Sequence, residues 1–295
     1  MSRRHDAAPK KLNFVTARLA IHSGMSTYVA DTLARMIAAG VEVEPVTGFD
    51  FVTEDPFRGL RDASFDLALA GVQELRSVVA DELSTLAVFP RKDPRDVLVQ
   101  LNGPTVPLRD LPEGSRVGVS ESRQSAFLNA HRADLLPVKI DKDLGTDLLQ
   151  RESELEAAVL GAWEARAAGL GNRISEMLDS RSWLPEPGRG LVAIMGRHPI
   201  AEITALDHLP TRTALRAELA FLDALGASRN APIGCLAQPS GPILRLWAAV
   251  ASPDGQRLVG SNLTGPLDEP ESLGVKVARE LNQRGADILL TSTNQ

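Results

Sequence analysis

The chain has 295 residues, 43% of them apolar, and a formal net charge of −6 with both signs mixed along its length. That is enough apolar material for more than one core, while the charge balance offers neither a basic stripe for nucleic acid nor a polybasic anchor for a membrane. One cysteine and five scattered histidines exclude an internal disulfide and give no metal-ligand spacing.

The segment Met1 to Lys11 is charged and lacks the apolar run of a signal peptide, and no later run approaches the roughly 20 residues a bilayer requires. We therefore expect a cytoplasmic protein. Leu12 to Thr16 reads as a strand. Ser26 can cap a helix carrying Val29, Leu33, Met36 and Ile37 on one face until Gly40 stops it, and Val41 to Val46 alternates as the next strand. Asp66 to Ala70 and Leu83 to Phe89 are short continuous apolar runs of the kind buried in parallel sheets. The turn Lys92-Asp93-Pro94-Arg95-Asp96 interrupts the pattern before Val97 to Leu101 resumes it.

A second α/β unit begins with Leu111-Pro112-Glu113-Gly114 and the strand Arg116 to Val119. A helix from about Ser120 to Ala133, a strand Leu136 to Ile140, a helix around Gly145 to Arg151 and the apolar segment Leu155 to Trp163 follow. Leu191 to Met195 is a buried-type strand that could return to the first unit. Two crossings between lobes would make a hinged cleft. The third unit opens with a helix, Thr211 to Leu225, in which Leu215, Leu219 and Leu222 recur at helical spacing. Leu244 to Ala251 and Arg257 to Asn262 read as a hairpin, and Leu273, Val277 and Leu281 mark a closing helix ending near Gly285.

Several stretches, in this order, resemble the porphobilinogen deaminase (hydroxymethylbilane synthase) family. They are Lys92-Asp93-Pro94-Arg95-Asp96, Leu111-Pro112-Glu113-Gly114 with Val117-Gly118, Arg173-Ile174, Leu184-Pro185 with Pro187-Gly188-Arg189-Gly190, and Pro232-Ile233-Gly234. The resemblance runs from about Leu12 to Leu290. It implies an α/β protein of three domains, two periplasmic-binding-protein-like lobes around a cleft plus a small C-terminal α+β domain. We place these at 1–96 plus 190–208, 97–189 and 209–295. Such proteins join porphobilinogens head to tail with loss of ammonia, on a dipyrromethane cofactor held to a cysteine by a thioether.

Chemistry of that kind needs a carboxylate to move protons and stabilise a cationic azafulvene, and basic groups to hold acetate and propionate arms. The resemblance puts the carboxylate at Glu74. Among positions where the family has cations, Arg123 and Arg173 are retained. Ala17, Gln73, Gln124, Asp141 and Asp147 stand where the others would be. Thr16, Ser120 and Thr146 match hydroxyl or near-helix positions, and Arg18 and Arg189 are new candidate cations. We take Glu74 as the catalytic candidate, with Thr16, Arg18, Gln73, Ser120, Arg123, Asp141, Thr146, Asp147, Arg173 and Arg189 as substrate-binding candidates.

Arg229 occupies the position of the cofactor-bearing cysteine and cannot form a thioether. Cys235, six residues on, reads as a small buried apolar residue. The expectation is no cofactor and no metal, with dipyrromethane on Cys235 as the alternative. Function is then expected to be a transferase of altered chemistry acting on a pyrrole or another small, less anionic substrate in tetrapyrrole-related biosynthesis. An orthodox hydroxymethylbilane synthase and a non-catalytic binding protein using the same cleft are the alternatives. A small molecule is the expected partner, without nucleic acid or membrane, and the resemblance suggests a monomer.

Overall fold

Apolar residues gather into short runs that pair as strands, and the helices between them present one apolar face each. A computed structural model describes residues 15–21, 26–46, 57–76, 83–141, 152–228 and 230–291. In chain order the elements are β1 (Val15–Ala20), α1 (Ser26–Ala38), β2 (Val41–Val46), α2 (Arg58–Arg61), β3 (Leu67–Ala70), α3 (Val72–Leu75), β4 (Ser84–Val88), β5 (Asp96–Gln100) and β6 (Arg116–Val119). These continue as α4 (Ser122–His131), β7 (Leu136–Lys139), β8 (Ala157–Gly161), α5 (Ala162–Ala167), β9 (Ile174–Met177), β10 (Ala193–Gly196), α6 (Ala201–Thr204) and α7 (Leu209–Leu225). The chain closes with β11 (Ile233–Ser240), β12 (Ile243–Ala251), β13 (Leu258–Pro266), α8 (Pro270–Gln283) and α9 (Ala286–Thr291).

Two five-stranded sheets follow one plan, β2-β1-β3-β10-β4 and β7-β6-β8-β5-β9. In each, a first strand has its second and third strands parallel on either side. Parallel neighbours require a crossover, which α1 and α4 supply. The fourth place is taken by a strand from a distant part of the chain: β10 enters the first sheet, and β5 enters the second antiparallel to β8 and β9. These are two α/β lobes. The third sheet, β11-β12-β13, is an antiparallel meander covered by α7 and α8, and it forms the small C-terminal α+β domain.

Contacts divide the chain into two compact units. One comprises Met1–Leu69, Val79–Ala87 and Ala193–Asp207, and the other Ala70–Val78, Val88–Val192 and His208–Gln295. In the larger unit the second sheet is covered on both faces, and β5 is accordingly buried throughout. Leu98, Val117, Val119 and Val159 meet Phe127 and Leu128 of α4, Trp183, and Leu236 and Ala249 of the third sheet. Val97, Val99, Ala158 and Leu160 face the other way, against Ile140 and Ala165. The two crossing segments pair there, Phe89 N–H donating to the Val192 carbonyl and Lys92 N–H to the Gly190 carbonyl, each at 2.9 Å.

Some elements differ from expectation. The first strand runs on to Ala20, and the residues expected before Val15 lie outside the described ones. Ile37, assigned to the apolar face of α1, is 57% exposed. The apolar segment Leu155 to Trp163 is a strand and then a helix, because β8 ends at Gly161 and α5 begins at once. The helix expected around Gly145 to Arg151 falls outside the described residues. Strand β9 had not been expected; its four half-buried residues carry little alternation.

Candidate functional site

Asp96, at the start of β5, is wholly buried, and a charge there must be matched. Its Oδ2 lies 2.8 Å from Arg123 Nη2 and accepts the Trp183 indole N–H at 2.9 Å. Arg123, the second residue of α4 and 2% exposed, also reaches Glu121 Oε2 at 2.9 Å and donates to the Leu184 carbonyl at 2.9 Å. Gln124 ties this pair to the strand end. Its Oε1 accepts the Ser120 backbone N–H at 3.0 Å, and its Nε2 lies 3.5 Å from Asp96 Oδ1. Burial disfavours the Arg123 charge, yet the Asp96 and Glu121 carboxylates outweigh it and hold the guanidinium above its ordinary pKa.

Arg189 joins the same cluster from the loop after Leu184. Gly188 and Gly190 flank it with φ of +80° and +75°, and a Cβ on Gly190 would lie 2.6 Å from the Lys92 carbonyl oxygen. Glu218 of α7, wholly buried, fixes the loop. It accepts the Gly188 N–H at 2.6 Å and the Ala237 N–H at 2.8 Å, and pairs with Arg91 Nη1 at 2.6 Å. The Arg189 guanidinium is thereby aimed at Glu121, to which it is ion-paired, and lies 3.4 Å from Glu164 and from Glu186. Burial opposes its charge, but Glu121, Asp96, Glu164 and Glu186 push its pKa well above the ordinary arginine value.

Beside this cluster, within the larger unit, lies a cavity of about 310 Å³ lined by Arg76, Ser120, Glu121, Arg123, Lys139 and Glu186 among others. Ser228 and Asn230, the neighbours of Arg229 in the chain, also line it, and the Ser122 hydroxyl donates to the Asn230 carbonyl at 2.5 Å. Helix α3, which carries Gln73 and Glu74, is held nearby at both ends. Val72 packs where a Gly188 side chain would stand, and Arg76 donates to the Ala227 carbonyl at 3.0 Å while pairing with Asp223 at 3.5 Å. The Gln73 and Glu74 side chains lie outside the described ones.

Of the residues expected at a site, the structure thus joins Ser120, Arg123 and Arg189, with the backbone of Glu74 anchored at the same unit. Thr16 is exposed on β1, and Arg18 on the same strand pairs with Asp66 at 3.2 Å. Asp141 is exposed just after β7, and Arg173 is half-buried in the turn before β9. Thr146, Asp147 and Arg229 lie outside the described residues. Sequence reasoning missed Asp96, Glu121, Glu164 and Glu186. The signals were an acid three residues before Arg189 and an acid, not a hydroxyl, at the start of α4. Among the described residues no group of three His, Cys, Asp or Glu is arranged to hold a metal ion, and no helix is long and apolar enough to cross a membrane.

Residues 3–205 match the family model "Porphobilinogen deaminase, dipyromethane cofactor binding domain", and residues 213–283 match "Porphobilinogen deaminase, C-terminal domain". The chain belongs to the porphobilinogen deaminase family. It is 36% identical over 237 residues to the porphobilinogen deaminase of Thermus thermophilus, covering 78% of each chain. To that of Roseiflexus sp. it is 35% identical over 237 residues, covering 78% of this chain and 77% of the other. Among solved structures, a periplasmic substrate-binding protein of an ABC transporter from Coxiella burnetii is 16% identical with a TM-score of 0.43, covering 64% of this chain and 89% of that one. A likeness of that size carries no weight for function.

The family match corrects the expectation of no cofactor. That expectation rested on one position, Arg229, whereas the matched domain is the dipyrromethane-binding one, so the family uses this cofactor. The residues present do not fit its thioether attachment. Cys235 is the only cysteine, is 0% exposed on β11, and its N–H donates to the Pro185 carbonyl at 2.8 Å. Burial first, and then the Glu218 charge, push its thiol well above the ordinary range, with Arg91 opposing.

Proposed function

We propose that this chain is a pyrrole-condensing transferase of tetrapyrrole-related biosynthesis, acting on a pyrrole less anionic than porphobilinogen. One observation carries this reading: Ser120, Arg123, Arg76 at the end of α3 and the neighbours of Arg229 meet at a single cavity, while Arg123 and Arg189 are already matched by carboxylates of the protein. A ligand with several acid arms finds few uncommitted charges there.

In the reaction proposed, the C–N bond of a protonated aminomethyl group breaks and ammonia leaves with the electron pair. The resulting azafulvenium carbon is attacked by the α-carbon of a second pyrrole, forming a C–C bond, and that α-carbon then gives up its proton. Glu74 is assigned the last role and the stabilisation of the cation before it, both of which an ionised carboxylate can serve. Ser120 and Lys139 supply polar contacts at the cavity. Supplying the purified chain with 2-aminomethylpyrrole and with porphobilinogen tests the reading. Linear oligopyrroles by mass spectrometry, with one ammonia per new bond, are expected, and unaltered pyrroles without ammonia would refute it.

A further inference from the structure

The N-cap residue of α4 is Glu121, yet its side chain accepts no helix N–H. Hydroxyl and short acidic side chains usually take that place because they satisfy the free amides of the first turn. Glu121 instead turns its two oxygens to different arginines: Oε2 lies 2.9 Å from Arg123 and Oε1 is paired with Arg189. It is the one carboxylate that bridges both guanidiniums and also lines the cavity, among the described residues. Asp96 backs Arg123 from the interior, and Glu164 and Glu186 flank Arg189, so two guanidiniums face four carboxylates. The Nε atoms of Arg123 and Arg189 are nevertheless buried without a hydrogen-bond partner. The arrangement is therefore not one in which every arginine donor is spent on a protein acceptor.

We propose that Glu121 sets the charge of the ligand this cavity accepts. Its carboxylate covers the guanidinium edges that a ligand carboxylate would need, so the cavity takes a pyrrole whose acid arms are absent or neutralised, and Glu121 is its specificity-determining residue. The proposal rests on the transferase reading for the pyrrole nature of the ligand. It does not rest on turnover. An incoming carboxylate would have to displace Glu121 from two cations and remain near Glu186, against like-charge repulsion in a partly desolvated site. Removing the Glu121 charge alone leaves Arg123 its Asp96 partner and Arg189 its Glu164 and Glu186 partners, so the fold keeps a matched pair at each arginine.

The test is calorimetric binding of two probes, porphobilinogen and 2-aminomethylpyrrole, to the full-length protein and to Glu121→Gln and Glu121→Asp. Wild type should bind 2-aminomethylpyrrole at least about tenfold more tightly than porphobilinogen. Glu121→Gln should shift that ratio about tenfold or more towards porphobilinogen, and Glu121→Asp, which keeps the charge, should retain the wild-type preference. A folded Glu121→Gln with an unchanged ratio overturns the proposal. So does a wild-type protein that binds porphobilinogen as tightly as its acid-free analogue, which decides the matter even if the variant fails to fold. Binding of neither probe by wild type overturns it too. Ammonia release, followed on the same samples, separates the two readings. A switched preference without ammonia leaves Glu121 in its role and removes the transferase, and ammonia with an unswitched preference does the reverse.

Discussion

Asp96 lies 2.8 Å from Arg123 in an ion pair that solvent barely reaches, the side chains being 0% and 2% exposed. The pair joins the first residue of β5 to the first turn of α4, so it ties the crossing segment to the wall of the cavity. Asp96→Ala removes the interior partner of the Arg123 guanidinium, leaving it Glu121 alone, and removes the acceptor of the Trp183 indole. Loss of one partner of a buried pair costs about 3–5 kcal/mol, and urea unfolding of the variant should show a loss of that size. A loss under about 1 kcal/mol, the size typical of exposed pairs, would mean that the cluster is open to water.

The loop that presents Arg189 depends on two left-handed glycines. Alanine at either position adopts a positive φ at a cost of about 1–3 kcal/mol. At Gly188 the new Cβ would stand 2.1 Å from Val72 Cγ2, and at Gly190 2.6 Å from a backbone oxygen. Thermal unfolding should therefore find both substitutions destabilising. Gly190→Ala should be the worse, since the Val72 side chain can give way and the Lys92 backbone cannot.

Cys235 should be silent towards thiol reagents in the native protein. Its thiol is buried and held in the neutral form, so labelling at pH 8 should follow unfolding. The sign of the pH effect follows from the raised folded pKa. Stability from this group is fully present below the unfolded thiol value of about 8.5 and is lost as pH rises towards the folded one, because the unfolded chain ionises first. Cys235→Ala should flatten the alkaline limb of the stability curve. Rapid labelling of folded protein would contradict the burial.

Hydropathy and spacing made most of the sheets legible. Val41–Val46 and Arg116–Val119 fall where alternation and short apolar runs put them, because burial of one or both sheet faces leaves that signature. Strand β9 left none, since Ile174, Ser175, Glu176 and Met177 are all half-buried. The site was legible only in part. Arg123 and Ser120 were read from family motifs, but Asp96 appeared only as one member of a turn motif, and Glu218 was not singled out among the residues of its helix. What buries both is partners distant in the chain, and no local pattern records such partners.

Arg18 donates to Asp66 and by that hydrogen bond holds its carboxyl below the ordinary range, against the opposing effect of burial. A lowered folded pKa means that stability is present above the unfolded carboxylate value of about 3.9 and is lost as pH falls through the folded one. The difference in Tm between wild type and Arg18→Ala should therefore narrow as pH falls below about 4. A difference that stays constant across that range would detach Arg18 from the Asp66 titration.

The most direct test of the central claim is the initial rate of ammonia release from 2-aminomethylpyrrole, corrected for the uncatalysed rate, in wild type and Glu74→Gln. Release by wild type and a fall of about a hundredfold or more in the variant are expected, with Tm unchanged. Release that is equal in the two proteins, or absent from wild type with both 2-aminomethylpyrrole and porphobilinogen, would contradict that claim.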